Sequence, residues 1–275
     1  MNRFDERDLL LVSIPIVGIA ILAELFISLV LKKKIYTLKE TATNVYMSVL
    51  FAGIDSFLRN IYVLPLLYFF LSQSFFVWPK TWVYWVVAFL LTDLMYFLLH
   101  WADHKIRPLW AVHVTHHSST DFNVTTGFRS PVLQPFYRVF FFAPIAWIGI
   151  DPIDIIIVYG VGQIYGALIH TQLVGNLGIF ENILVTPSHH RVHHASNTEY
   201  LDKNMGMFLI IWDRFFGTFK KEDPNIQLKF GITHEIEDRG PLNIVVHEWK
   251  AILKDVQMSP KSIRKKLKIL ISMDT

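Results

Sequence analysis

The amino-acid sequence predicts an all-α integral membrane protein, a bundle of about four or five transmembrane or re-entrant helices with a histidine-rich helical cap. Three observations carry that expectation. Hydrophobic residues make up 52% of the 275-residue chain and charged residues only 18%, against roughly 25% charge in a soluble domain. The apolar residues gather into runs long enough to cross a bilayer, which takes about 20 residues of helix. Between and beyond those runs, nine of the twelve histidines fall into the patterns H-x3-H, H-x2-H-H, a single H and H-x2-H-H.

Residues 9–31 form a 23-residue apolar run broken by one acid, Glu24. A signal peptide would have a basic leader and an apolar core of about 7–15 residues. Here the preceding MNRFDERD is charge-mixed, and Lys32, Lys33 and Lys34 follow as a stop, so the run reads as a retained span. A second stretch, about 43–72, contains Asp55 and Arg59. These stand at i,i+4 and can neutralise each other within the membrane; the interruption leaves open one span or a helix pair. The third run, WVYWVVAFLLTDLMYFLLH at 82–100, delivers the first histidines. Residues 132–150 and 152–173 follow, split by Asp151-Pro152, and read as two spans or a shallow re-entrant pair. Residues 205–219 are too short to cross and are expected at the interface. Near the end, SIRKKLKILISM reads as a solvated or anionic-lipid-facing helix. The expected organisation is a single membrane domain over 1–275, with a histidine-box catalytic region at 88–219 and a cytoplasmic basic tail at 220–275.

Charge sets the expected topology, because Lys and Arg accumulate on the cytoplasmic side. Lys32–Lys34 put the end of the first span inside. Counting forward, residues 100–117 are then cytoplasmic, and the next two segments cancel whether they cross or only dip. His170 and His190–His194 therefore return to the same face. A bacterial inner membrane and an endoplasmic reticulum both fit this layout. The net charge of +3 is too small to argue for nucleic acid, and no recognition motif accompanies it. Cysteine is absent, which removes disulfides, thiolate zinc sites and iron–sulfur clusters.

The histidines are His100 and His104; His113, His116 and His117; His170; and His190, His193 and His194. Residues three and four apart share a helix face, so each group can aim its imidazoles at one point. Imidazole is the commonest metal ligand. Nine are too many for one ion, since zinc takes about four ligands. Two ions, each with four or five histidines and an open position, fit the count, so the cytoplasmic cap is expected to hold a dinuclear metal site. Nitrogen ligands argue against magnesium and calcium and leave zinc, iron, copper and nickel. His189 adjoins the last group but points to another helical face, and is expected behind the ligands. Asp93 lies seven residues before His100 on the face that His100 and His104 share, placed to accept the free N–H of a ligand histidine. A hydrogen bond to a neighbouring helix is its alternative. His234 and His247 lack a clustered partner and read as ordinary.

Several segments also carry a resemblance: WAVHVTHHSSTDFNVTTGFRSPVLQ at 110–134, IHTQLVGNLG at 169–178, TPSHHRVHHASN at 186–197, LDKNMGMFLIIWDRFFGTF at 201–219 and KFGITHEI at 229–236. Over about residues 88–236 the chain resembles the fatty acid hydroxylase/sterol desaturase superfamily, and within it the alkylglycerol (glyceryl ether) monooxygenase-like membrane di-iron proteins. The resemblance implies two iron ions held by the nine histidines named above. It also implies O₂-dependent hydroxylation of a C–H bond of a lipid (ether lipid, fatty acyl or sterol-like) that enters between the apolar helices. Electrons come from outside the chain, which has neither a dinucleotide-binding glycine motif nor a fused haem module; the donor is a separate reductase or reduced pterin such as tetrahydrobiopterin. Two positions depart from the resemblance: Lys105 stands where an acid is usual, and Met205 where a tyrosine is.

Three other readings compete. A lipid or sterol desaturase or a carotenoid hydroxylase belongs to the same superfamily. A zinc-dependent membrane hydrolase would want H-E-x-x-H, and neither histidine box has the carboxylate. A non-catalytic metal-binding membrane protein would continue polar residues through its spans, where this chain has only isolated acids.

Overall fold

The computed structural model describes residues 6–234, 236, 238–258, 262 and 266. The described residues are helical, with no named strand and two isolated bridges, Leu184–Leu209 and Ala195–Phe230. Three helical stretches are long and apolar enough to cross a membrane: Leu11–Val30, Leu38–Ser72 and Trp82–Lys105. The first lies in α1 (Glu6–Val30). Leu11, Ile14, Ile19, Leu22, Phe26 and Leu29 stay exposed on it, as residues facing lipid tails should. Its one acid is not exposed: Glu24 accepts from the Val124 amide at 2.8 Å and from the Tyr36 hydroxyl, pinning α1 to the loop that follows the second histidine box.

The stretch that the sequence left open as one span or two is a single rod. α2 (Leu38–Leu58) runs through a π-helical turn at Arg59–Val63 into α3 (Leu64–Ser72) without a break. The i,i+4 pair of Asp55 and Arg59 forms, and Arg138 joins it from α6 (Pro135–Trp147), so one carboxylate ties two arginines across the helix contact. Thr37 caps α2 by accepting from the Glu40 amide at 3.3 Å.

α4 (Trp82–Lys105) is the third long helix. It stops at Ile106, whose extended backbone precedes α5 (Arg107–His117), and Pro108 sits in the first turn of that new helix. The chain folds back there, and α5 packs against α4. α6 has 13 residues and α7 (Pro152–Leu168) has 17, both short of the roughly 20 of a full crossing. Gly149 makes their turn at φ 103°, with a cradle so tight that a Cβ would lie 2.6 Å from Phe76 O. Tyr84, at the start of α4, donates to Asp154 at 2.6 Å, and Lys80 pairs with the same carboxylate. The α6–α7 turn therefore lies at the far end of α4, while both outer ends of the pair return to the histidines. Small residues let these helices approach: Ala88, Ala143 and Ala146 are buried with Leu67, Phe142 and Ile145 in the main apolar core.

Three further helices complete the body: α8 (Pro187–His194), α9 (Ile211–Phe216) and α10 (Pro241–Met258). α9 is a short turn inside the segment read as interfacial. α10 falls in the expected tail and packs against α5; of the basic stretch 262–273, all but residues 262 and 266 lie outside the described residues.

Candidate metal centre

α4, α5 and α8, with the end of α7, converge at one end of the bundle and bring all nine candidate histidines together. Their nitrogens sort into two groups, each with its donor atoms within 4.8 Å of one another. One holds His100, His104, His113, His117 and His193; the other holds His116, His170, His190 and His194. The H-x2-H-H boxes are thus split rather than aimed at single points. In each box the first and last histidines, one full turn apart, go to one group and the middle one crosses to the other. α5 gives two histidines to the five-member group and one to the four-member group; α8 does the reverse.

Backbone carbonyls fix the tautomers. A carbonyl oxygen only accepts, so the ring nitrogen facing it carries the hydrogen. His100 Nδ1 donates to Met205 O at 2.7 Å and His193 Nδ1 to Lys203 O at 2.9 Å. His116 Nδ1 donates to Arg129 O at 3.1 Å and His170 Nδ1 to Gly166 O at 2.6 Å. Each of these rings then turns a bare Nε2 lone pair inward. His170 Nε2 lies 2.9 Å from His190 Nε2, 3.1 Å from His194 Nε2 and 3.4 Å from His116 Nε2. In the other group, His113 Nε2 is 3.0 Å from His100 Nε2 and 3.2 Å from His117 Nε2. Imidazole nitrogens bound about 2.1 Å from one ion stand roughly 3.0–3.4 Å apart, which is the spacing seen. The buried Nε2 atoms of His104 and His193 have no hydrogen-bond partner at all, a cost that a bound cation would remove.

Electrostatics agree. Burial first, and then the charge each would feel from its neighbours, hold His113, His117, His170, His190, His193 and His194 well below the ordinary histidine range. Burial is also the main cause that brings His116 down to about 4. The rings are neutral near pH 7, the form that ligates metal. Aromatic faces close the centre. Phe122 lies 5.2 Å from His194 and 5.5 Å from His170, stacked on Phe230 at 4.7 Å. Trp110 lies 5.1 Å from His104 and 5.6 Å from His117.

The groups behind the histidines differ from the expectation. Asp93 touches none of them. Its oxygens accept from the amides of Phe208 and Leu209, both at 3.1 Å, and from the Trp212 indole at 2.9 Å, so it takes the alternative role of anchoring a neighbouring segment. His189 is likewise turned away: its Nδ1 accepts from the Thr186 amide at 3.3 Å, capping α8, and its Nε2 is 3.7 Å from Glu181.

Among the described residues Asp103 is one of two acids that approach a ligand ring, the other being Asp202. Asp103 is fully buried, accepts from Gln134 at 2.8 Å and Tyr137 at 2.7 Å, and lies 3.5 Å from His113 Nδ1. Its signal was present in the sequence, three residues after His100 and next to His104, but helical spacing gave it no preference over Asp93.

Loop 202–205 supplies three more acceptors, the Asp202 carboxylate to His104 Nδ1 at 3.3 Å and the carbonyls of Lys203 and Met205. Asp213 holds this loop by accepting from the amides of Met205 at 2.6 Å and Gly206 at 2.8 Å. Because Met205 contributes its carbonyl, the acceptor does not depend on which side chain stands there. Lys105 pairs with Asp202. Burial pushes that carboxyl up, but His104 and Lys105 outweigh it and hold it at about 2. Arg129 is fully buried and donates to Glu40 at 2.8 Å, Asn44 at 3.0 Å and Thr115 O at 2.9 Å, which fixes the carbonyl that orients His116.

Comparison with known proteins points the same way. The fatty acid hydroxylase family model matches residues 85–218, the stretch that carries all nine histidines. Human alkylglycerol monooxygenase is 37% identical over 234 residues, covering 84% of this chain and 52% of the relative. The Danio rerio alkylglycerol monooxygenase is 43% identical over 159 residues, 58% of this chain and 35% of the relative. An ornithine lipid hydroxylase from Rhizobium tropici is 26% identical over 171 residues, 60% of this chain and 51% of the relative. The chain spans between about a third and a half of the length of the curated relatives it matches. No solved structure matches. Residues 85–218 thus carry the match to the fatty acid hydroxylase family domain, together with all nine candidate histidines.

Proposed function

We propose that this chain is an O₂-dependent monooxygenase that hydroxylates a C–H bond of a membrane lipid, of ether-lipid, fatty acyl or sterol-like character. Two iron ions, held by His100, His104, His113, His117 and His193 and by His116, His170, His190 and His194, serve it at the cytoplasmic face of the membrane. The observation that carries the reading is the pair of inward Nε2 clusters, with tautomers set by backbone carbonyls. Two redox-active irons supply the O₂ activation that an unactivated C–H bond requires. The alkylglycerol monooxygenases and the ornithine lipid hydroxylase are, by name, oxygenases of lipids. Electrons come from a separate reductase or from a reduced pterin such as tetrahydrobiopterin.

The chain's own residues hold geometry and exclude water, the protein's usual share of such chemistry. Loop 202–205 and Asp103 brace the rings of the five-histidine group, while Phe122 and Trp110 keep water off both. A narrow cavity, about the size of one water, lies between α4 and α7. Phe89, Thr92, Tyr96, Val158, Met207 and Phe208 line it, and the Tyr96 ring is 5.5 Å from that of His100. The test is expression in iron-replete cells, with lipid extracts compared by mass spectrometry against a His113→Ala variant. The reading expects the mass of one oxygen added to a single lipid class and missing in the variant. Iron-loaded protein that gives no O₂-dependent lipid product would contradict it.

A further inference from the structure

Away from the nine-histidine centre, a third set of ligand-type side chains comes together where α10 meets α5. His234, His247 and Glu248 place their donor atoms within 4.8 Å of one another, and the rings of His234 and His247 are 5.8 Å apart. Sequence spacing hides the group, because the two histidines stand 13 positions apart. Three features set it apart from a chance surface cluster. His247 Nδ1 donates to Ile244 O at 2.9 Å, which leaves its Nε2 as a bare acceptor. That Nε2 is buried and has no hydrogen-bond partner. Glu248 is 7% exposed, and Arg107 Nε donates to its Oε1 at 3.0 Å, orienting the carboxylate. A buried lone pair beside a fixed carboxylate is an arrangement that a cation satisfies and that its absence penalises.

We infer that His234, His247 and Glu248 form a separate site for a zinc-class divalent cation. Two imidazoles and one carboxylate make a known zinc donor set with room for water in the fourth position. They suit magnesium or calcium poorly, since those prefer all-oxygen shells. Donor atoms up to 4.8 Å apart would close toward the roughly 3.4 Å spacing of a tetrahedral site. His234 is exposed on the segment after Phe230, so its side chain is the one free to swing. A bound ion would tie α10 to that segment, whose Phe230 stacks on Phe122 over the four-histidine group. The site is thus a clamp on the outer side of the helix that carries His113, His116 and His117.

The experiment uses the full chain in detergent micelles, stripped with a chelator, reloaded with Zn²⁺ alone and desalted, with zinc counted per chain. Wild type, His234→Ala and His247→Ala are compared. His247 sits within α10, and its truncation also loosens packing; His234 is exposed, so His234→Ala removes a ligand without disturbing the core. The nine-histidine centre also takes zinc in this assay, equally in all three proteins, so the difference is the readout. Wild type is expected to hold one zinc more per chain than either variant, and Zn²⁺ to raise its unfolding temperature further than that of His234→Ala. Equal zinc counts in wild type and His234→Ala overturn the assignment, whatever His247→Ala does.

Discussion

His116 Nε2 and His170 Nε2 face each other at 3.4 Å, although each ring has already given its one hydrogen to a backbone carbonyl, Arg129 O and Gly166 O. Two buried lone pairs pointed at one another repel, and no hydrogen bond can form between them. The arrangement makes physical sense around a cation, and His100 and His193, whose Nδ1 hydrogens also go to carbonyls, carry the same bare Nε2 in the other group.

The same arrangement predicts acid sensitivity in the metal-free protein. The buried histidines are held below the ordinary range in the fold, whereas in the unfolded chain they titrate near about 6.5. As pH falls, the unfolded chain takes up protons that the folded one does not. Stability is therefore full above about pH 6.5 and is lost progressively below it. Thermal unfolding of chelator-treated protein from about pH 8 down to about pH 5 should show a falling Tm over the lower half of that range; a flat profile contradicts this.

Among the described residues Asp103 is the carboxylate within reach of His113 Nδ1, and its other contacts, Gln134 and Tyr137, hold it there. Asp103→Asn keeps the shape and removes the charge. Losing such a partner typically costs about 10–100-fold in metal affinity. Competition against a chelator of known affinity should show a drop in that range, while Asp93→Asn, which touches no histidine, should leave metal affinity unchanged and lower only the unfolding temperature.

The contrast between Asp93 and Asp103 shows what the sequence made legible. Helical spacing was enough to pick out the eight histidines that stand in pairs and triplets, and the length of the apolar runs the three long helices, because both are local properties; the single His170 has no partner at that spacing and rests on the resemblance. Asp93 was singled out by the same local rule, and the tertiary approach of residues 208–212 gave it a different partner. The split of each H-x2-H-H box between two groups could not be read either, since it depends on how α5 and α8 face each other. Loop 202–205 offers two backbone carbonyls among its three acceptors, and no side-chain pattern records those. The site formed by His234, His247 and Glu248 depends on a fold that joins distant positions.

Gly127 lies where the loop after α5 meets the end of α7. A Cβ there would sit 2.7 Å from Ala167 Cα and 3.0 Å from His170 Nδ1. Gly127→Ala must push the backbone that carries His170, disturbing its hydrogen bond to Gly166 O. Overpacking of this kind costs roughly 1–3 kcal/mol. The expected outcome is a lower Tm together with iron content falling toward one per chain, as the four-histidine group loses its centre. Wild-type iron content in Gly127→Ala contradicts the placement of His170.

The natural absence of cysteine makes the membrane orientation directly testable. Lys33 follows α1 at the histidine end, and Val77, 98% exposed, follows α3 at the opposite end. In intact cells a membrane-impermeant maleimide should label Val77→Cys and spare Lys33→Cys until the cells are opened. Labelling of Lys33→Cys from outside would reverse the orientation and place the histidines on the other face.

Iron counted per chain in protein purified from iron-replete cells bears most directly on the centre itself. Imidazoles drawn from α4, α5, α8 and the turn after α7 into two adjoining groups predict two irons in the wild type, with both His113→Ala and His170→Ala holding fewer. One iron or none in the wild type, or two that persist undiminished in both variants, would contradict it.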